Sequence, residues 1–128
     1  MRLLLDTHLL LWAARGEPRM PSRALELITH PTNDLLFSAA NIWEVVIKNS
    51  LGRDDFRVNP QVLRARLLEN GYAELPILSK HALFVAGLPD LHRDPFDRIL
   101  IAQALVEQVT LVTGDAALGR YSTSIVTV

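Results

Sequence analysis

The apolar positions of this chain fall into two kinds of run, and the two kinds alternate. Leu3-Leu4-Leu5, preceded by Met1-Arg2 and closed by Asp6, is a short continuous run, and Leu35-Leu36-Phe37, closed by Ser38, is another. Ala73 to Ile77, Thr110 to Thr113 and Ser124 to Val128 complete the set. Runs this short, bounded by turn residues, read as buried strands. Pro76 places the third at a sheet edge, because proline cannot donate to a ladder. Between the strands, apolar residues recur at helical spacing. Leu9, Leu10, Trp12 and Ala13 predict a helix from Thr7 or His8 to about Gly16, and Leu25, Leu27 and Ile28 predict one over Arg23–His30. Ile42, Trp43, Val46 and Ile47 predict a third over Ala39–Lys48. The polar stretch from Asn49 to Asn59 reads as a loop. Further helices follow from Pro60 to Asn70, from Ser79 as cap to Gly87, and from Pro95 to about Gln108, with a short helical turn through Leu118.

Alternating strands and helices predict an α/β fold, a three-layer α/β/α sandwich on a mainly parallel sheet of four or five strands. Right-handed crossovers then align the carboxyl ends of the strands along one rim, where open α/β sheets bind their ligands. Length agrees with one domain over residues 1–128, enough chain to bury a core without disulfides or metal staples.

The helix after His92-Arg93-Asp94-Pro95-Phe96-Asp97-Arg98 is the most sharply specified. Pro95 suits a first turn, Asp94 is an N-cap, and Asp97 then lies where the positive end of the helix dipole favours a carboxylate. Asp6 directly follows the first strand, Asp115 the fourth, and Glu44 stands one or two turns into the helix after the second. Each acid has a purely structural reading: Asp6 and Asp94 as caps, Glu44 as the outward partner of Lys48 at i+4. Taken together, the topology brings Asp6, Glu44, Asp97 and Asp115 to one rim. Four carboxylates in one cleft repel one another and resist ionisation unless a cation sits among them. With no Cys and no His pair at metal spacing, oxygen ligands select Mg²⁺ or Mn²⁺ over Zn²⁺. Ions held this way are the usual equipment for phosphodiester hydrolysis by an activated water.

Composition narrows the setting. Hydrophobic residues make up 49% and the formal net charge is −1, so no global positive field draws in nucleic acid and any polyanion contact is local. Eleven arginines stand against two lysines, which suits bidentate phosphate contacts. No apolar run approaches the ~20 residues of a membrane span, no signal-peptide pattern follows Leu3-Leu4-Leu5, and the lack of cysteine fits a cytoplasmic location.

Several motifs together resemble one family. Leu5-Asp6-Thr7-His8, the stretch from Ser38 through Glu44 to Lys48, and Leu51-Gly52-Arg53 are similar to motifs of PIN-domain toxins of the VapC type. So are Asp94-Pro95-Phe96-Asp97-Arg98 with the helix behind it, and Thr110-Leu111-Val112-Thr113-Gly114-Asp115. The resemblance covers nearly the whole chain, in order. It implies a metal-dependent endoribonuclease that cleaves RNA as the toxin of a toxin–antitoxin pair, forms homodimers and is silenced by a cognate antitoxin protein. It places the acidic catalytic and metal site on Asp6, Glu44, Asp97 and Asp115, with Thr7 and Thr113 as supporting hydrogen-bonders. Many relatives carry Asn where Asp115 stands and an Asp three residues on, where this chain has Leu118.

Two other classes compete. A receiver-type signalling domain also gathers acids at strand ends, but needs an acidic pair after the first strand and a Lys after the last, and neither is present. A catalytically silent PIN-like module that binds RNA or protein would keep the same pattern. Among the remaining residues, Trp12 and Trp43 read as core or dimer interface, His30 and His81 as surface, and His8 and His92 as neighbours of the acidic rim. The first helix carries Leu9, Leu10, Leu11, Trp12 and Ala13 around much of its circumference, which predicts a face covered by another chain.

Overall fold

A computed structural model describes residues 1–128. Five strands form one sheet: β1 (Arg2–Leu5), β2 (Asp34–Ser38), β3 (Ala73–Leu75), β4 (Thr110–Thr113) and β5 (Val126–Thr127). Their order is β3-β2-β1-β4-β5 and every pairing is parallel, so the expected mainly parallel sheet is wholly so. β1 lies at the centre because it is apolar on both faces. Leu3 and Leu5 face one side of the sheet and Leu4 the other, all fully buried. β3 is at an edge and stops at Leu75, one residue short of Pro76.

Six helices surround the sheet: α1 (Thr7–Arg15), α2 (Ser22–Thr29), α3 (Ala39–Ser50), α4 (Pro60–Glu69), α5 (Ser79–Val85) and α6 (Pro95–Glu107). Leu9, Leu10 and Leu11 of α1, Ala24 of α2, and Leu63 and Leu67 of α4 pack on Leu3, Leu5 and Phe37. On the other face, Leu100, Ile101 and Ala104 of α6 pack on Leu4, Leu36 and Leu111. α3 joins both layers, placing Val45 in the first and Ala40 in the second. α5 lies outside, against α6.

The structure corrects five local expectations. α3 runs on to Ser50, and the supposed loop after it contains a 3₁₀ turn, Asp54–Phe56, whose Phe56 is fully buried; Phe56, with Val58 beside it, pins this stretch to the core. Ser79 does not cap α5: the cap residue is Leu78, whose N–H donates to Nδ1 of His81. His81 is therefore interior, 1% exposed, with Nε2 2.8 Å from Glu107. Trp43 is 58% exposed and so is no core residue, while Trp12 is partly buried against the first cluster. Leu9, Leu10 and Leu11 are all buried within this chain, because α1 is covered by the sheet below and by α3 and α4 at its sides. The run of leucines on α1 therefore leaves no open leucine face.

Candidate functional site

β2 pairs with one side of β1 and β4 with the other, so the chain reverses direction across the sheet between β1 and β4. The carboxyl ends of these two strands flank a crevice. Asp6 ends β1 there. Its backbone N–H donates to Val112 of β4 at 3.0 Å. Its side chain caps α1, with Oδ1 accepting from the Leu9 N–H at 3.0 Å, while Oδ2 accepts from the Thr113 hydroxyl at 2.7 Å and the Gly114 N–H at 3.2 Å. The capping reading of Asp6 is correct, and the same carboxylate also ties β1 to β4. Thr113 in turn accepts from the Asp115 N–H at 3.0 Å, and Asp115 caps the following 3₁₀ turn, Ala116–Tyr121, through Ala117.

Asp94 caps α6, accepting from the Phe96 and Asp97 N–H groups, and this fixes Asp97 in the first turn. Oδ2 of Asp97 is 2.8 Å from Nε2 of His92. Ligand-capable atoms of His92, Asp97 and Asp115 all lie within 4.8 Å of one another. Asp97 has its pKa raised to about 6: burial is the main cause, the negative charges of Asp94 and Glu44 add to it, and the hydrogen bond and charge of His92 oppose it. A carboxyl held in this way gains from a nearby cation. Two carboxylates and an imidazole are a donor set that fits a divalent ion.

Glu44 is 3% exposed, so the outward ion pair expected of it is turned inward. Its Oε1 accepts from the Thr7 hydroxyl and its Oε2 from Nζ of Lys48, both at 2.5 Å. Thr7 accepts from Asn41 at 2.9 Å, and Asn41 also donates to the Leu5 carbonyl and accepts from the Ser38 N–H. This buried chain of polar groups locks the start of α3 to the end of β1. Thr113 and Thr7 are thus each bonded to an acid of the rim, Thr113 to Asp6 and Thr7 to Glu44.

The structure therefore gathers Asp97 and Asp115 with His92, and holds Asp6 and Glu44 in separate hydrogen-bond sets. Asp94 and Glu44 act on Asp97 through their charges. Sequence reading left His92 undecided, paired Lys48 with Glu44 but on the outside, and missed Arg98 as an organising residue. Arg98 donates to the carbonyls of Val85, Pro89 and His92 and to the Tyr121 hydroxyl. It thereby fixes the crossover that carries His92. Its position one residue after Asp97 was the only signal, and helical spacing alone cannot say which backbone an arginine will meet. His8 turns away, 3.3 Å from Asp55 and in edge contact with Phe56.

The profile of the PIN domain matches residues 3–123. The chain belongs to the PIN domain family. No curated protein matches its sequence. Among solved structures, this PIN domain is similar to a chain of VapBC2 from Rickettsia felis, bound to a DNA fragment from their promoter (TM-score 0.72, 19% identity, covering 100% of this chain and 98% of that one). It is also similar to a chain of FitAcB from Neisseria gonorrhoeae (TM-score 0.66, 20% identity, 98% and 96%) and of VapBC-1 from nontypeable Haemophilus influenzae (0.63, 20%, 100% and 97%). The match in fold extends over the full length of these chains. No helix of this PIN domain is long and apolar enough to cross a membrane.

Proposed function

We propose that this PIN domain is a cytoplasmic, metal-dependent endoribonuclease acting as the toxin of a toxin–antitoxin pair. The observation that carries the reading is the group of His92, Asp97 and Asp115 at the carboxyl rim of a parallel sheet, with burial and two further acids keeping Asp97 short of positive charge. Asp6, Glu44, Asp97 and Asp115 form the acidic site, with Asp97 and Asp115 as the acids nearest the ion. His92 joins them, and an imidazole ligand favours Mn²⁺ over Mg²⁺ relative to an all-oxygen set. When bound, such an ion supplies an activated water for in-line attack and neutralises charge on the phosphate.

The chain's own residues do the positioning. Asp94 sets the depth of Asp97, Arg98 sets His92, and Thr113 holds Asp6 between β1 and β4. His8 faces Asp55 and takes no part in proton transfer. The expected products are a 5′-phosphate and a 3′-hydroxyl, with EDTA abolishing cleavage. Mapping the termini of a cleaved RNA tests this: 2′,3′-cyclic phosphates that persist in EDTA would overturn it and direct attention to His92.

Partner surfaces follow from exposed apolar area. Trp43, Val46 and Ile47 of α3, with Leu51 just past its end, are exposed and apolar, suited to a homodimer. Trp12, Met20, Leu25, Ile28 and Tyr72 line a cavity of about 650 Å³ between α1, α2 and α4, suited to an antitoxin segment. A catalytically silent RNA- or protein-binding PIN module is the second reading. It draws on the hydrogen bonds that already occupy Asp6 and Glu44. Calorimetric titration with Mn²⁺ separates the two, since a silent module has no need of the ion.

A further inference from the structure

The only lysine near the rim stands among its acids. Nζ of Lys48 is 2.5 Å from Oε2 of Glu44 and 3.8 Å from Oδ2 of Asp94, and the side chain is only 17% exposed. The ammonium also lies 4.9 Å from the ring centre of Phe56 and 5.8 Å from that of Phe96. Two aromatic faces and two carboxylates therefore surround one compact positive charge. None of these partners is shared with the His92–Asp97–Asp115 group, although Asp94 and Glu44 both act on Asp97 through their charges.

We propose that Lys48 is a resident second cation, its ammonium taking the place between Glu44 and Asp94 that a second divalent ion would need, so that the site takes one ion only. The inference rests on the reading of the rim as a divalent-ion site. Three features support it. Glu44 is almost fully buried and its two oxygens are taken by Thr7 and Lys48, so an ion could reach it only by displacing the ammonium. The ammonium lies over the rings of Phe56 and Phe96 and the side chain is mostly buried, so it is held in place. The ammonium neutralises charge, as an ion would, but its three N–H donors and lack of any open coordination position mean that it generates no nucleophile. The rim is thereby divided. One side, His92–Asp97–Asp115, is left for the ion; the other, Glu44–Asp94, is already bridged by the fixed charge of Lys48. Lys48 is a positioning residue in this scheme.

The test is Mn²⁺ binding by calorimetry on the full chain without RNA. One equivalent is expected for the natural sequence. Lys48→Met keeps the apolar stem and removes the charge, and should admit a second equivalent; Lys48→Gln, which keeps a donor for Glu44, should do the same and guards against a folding failure of the first variant. Adding Glu44→Gln to Lys48→Met should return the count to one. Two equivalents on the natural chain, or an unchanged count in both single variants, would overturn the assignment of Lys48 while leaving the nuclease reading intact. No Mn²⁺ binding by the natural chain would overturn both.

Discussion

Asp97 carries two demands that conflict in the absence of a cation. Its place in the first turn of α6 favours a negative charge, whereas burial, Asp94 and Glu44 oppose one, and the balance raises its pKa to about 6. The folded chain therefore holds this proton more tightly than the unfolded chain. The stability contributed by the neutral carboxyl is fully present below about pH 4 and is lost as pH rises through about 6. Asp97→Asn, which cannot ionise, should make the EDTA-treated protein more stable at pH 7.5 by about 1–3 kcal/mol, with the gap closing below pH 4, while abolishing cleavage. Urea unfolding at both pH values measures it. A variant less stable at pH 7.5 would show that the contact with His92 outweighs the repulsion. His8→Ala should leave cleavage near the natural rate, whereas His92→Ala should weaken Mn²⁺ binding. The two differ because the structure sends only His92 to the rim, although the sequence placed the two histidines alike.

At the level of elements, the site is held by contacts between the ends of strands and the starts of helices. Asp94 caps α6, and replacement by Ala should cost about 1 kcal/mol. Asp94→Asn, which keeps a capping oxygen, should cost a few tenths at most and lower the pKa of Asp97, because one repelling charge is gone. Urea unfolding of the two variants checks the first point and NMR titration of Asp97 the second. Thr113→Val leaves Oδ2 of buried Asp6 with only the Gly114 N–H. It should destabilise by about 1–3 kcal/mol and reduce cleavage, because β1 and β4 meet at this residue. The family resemblance marked Thr113 as a supporting hydrogen-bonder; it did not reveal that the carboxylate of Asp6 is what Thr113 serves.

At the scale of the whole molecule, the exposed apolar area does not lie on the leucines of α1. Trp43, Val46 and Ile47 of α3, and Leu51 just past its end, are all open. Leaving such an area in water costs on the order of 25 cal/mol per Å² of apolar surface, so association that covers it is favoured. Light scattering at micromolar concentration should report a dimer, and Val46→Arg should give a monomer with an unchanged melting profile otherwise. A monomer from the natural chain, with no coexpressed antitoxin retained on purification, would weigh against both partner surfaces.

The fold was legible in the sequence because it is set by patterns that local physics enforces. Apolar runs such as Leu3-Leu4-Leu5 form buried strands, Pro95 after Asp94 starts a helix, Gly16 ends one in the left-handed region, and helical connections between successive strands make the sheet parallel. A place at the carboxyl rim was legible by the same route for Asp6 and Asp115, which lie just past strand ends. Which acids share a centre was decided by tertiary structure alone. Asp6 and Glu44 each combine a local bond that spacing does encode, to Leu9 at i+3 and to Lys48 at i+4, with a bond to a residue far away in the chain, Thr113 and Thr7, that no periodicity encodes. His81 and Phe56 entered the interior, and Trp43 stayed out, according to which neighbour happened to cover each one. Burial of a single side chain depends on packing across layers, and a one-dimensional pattern specifies the face a residue takes but not what lies opposite it.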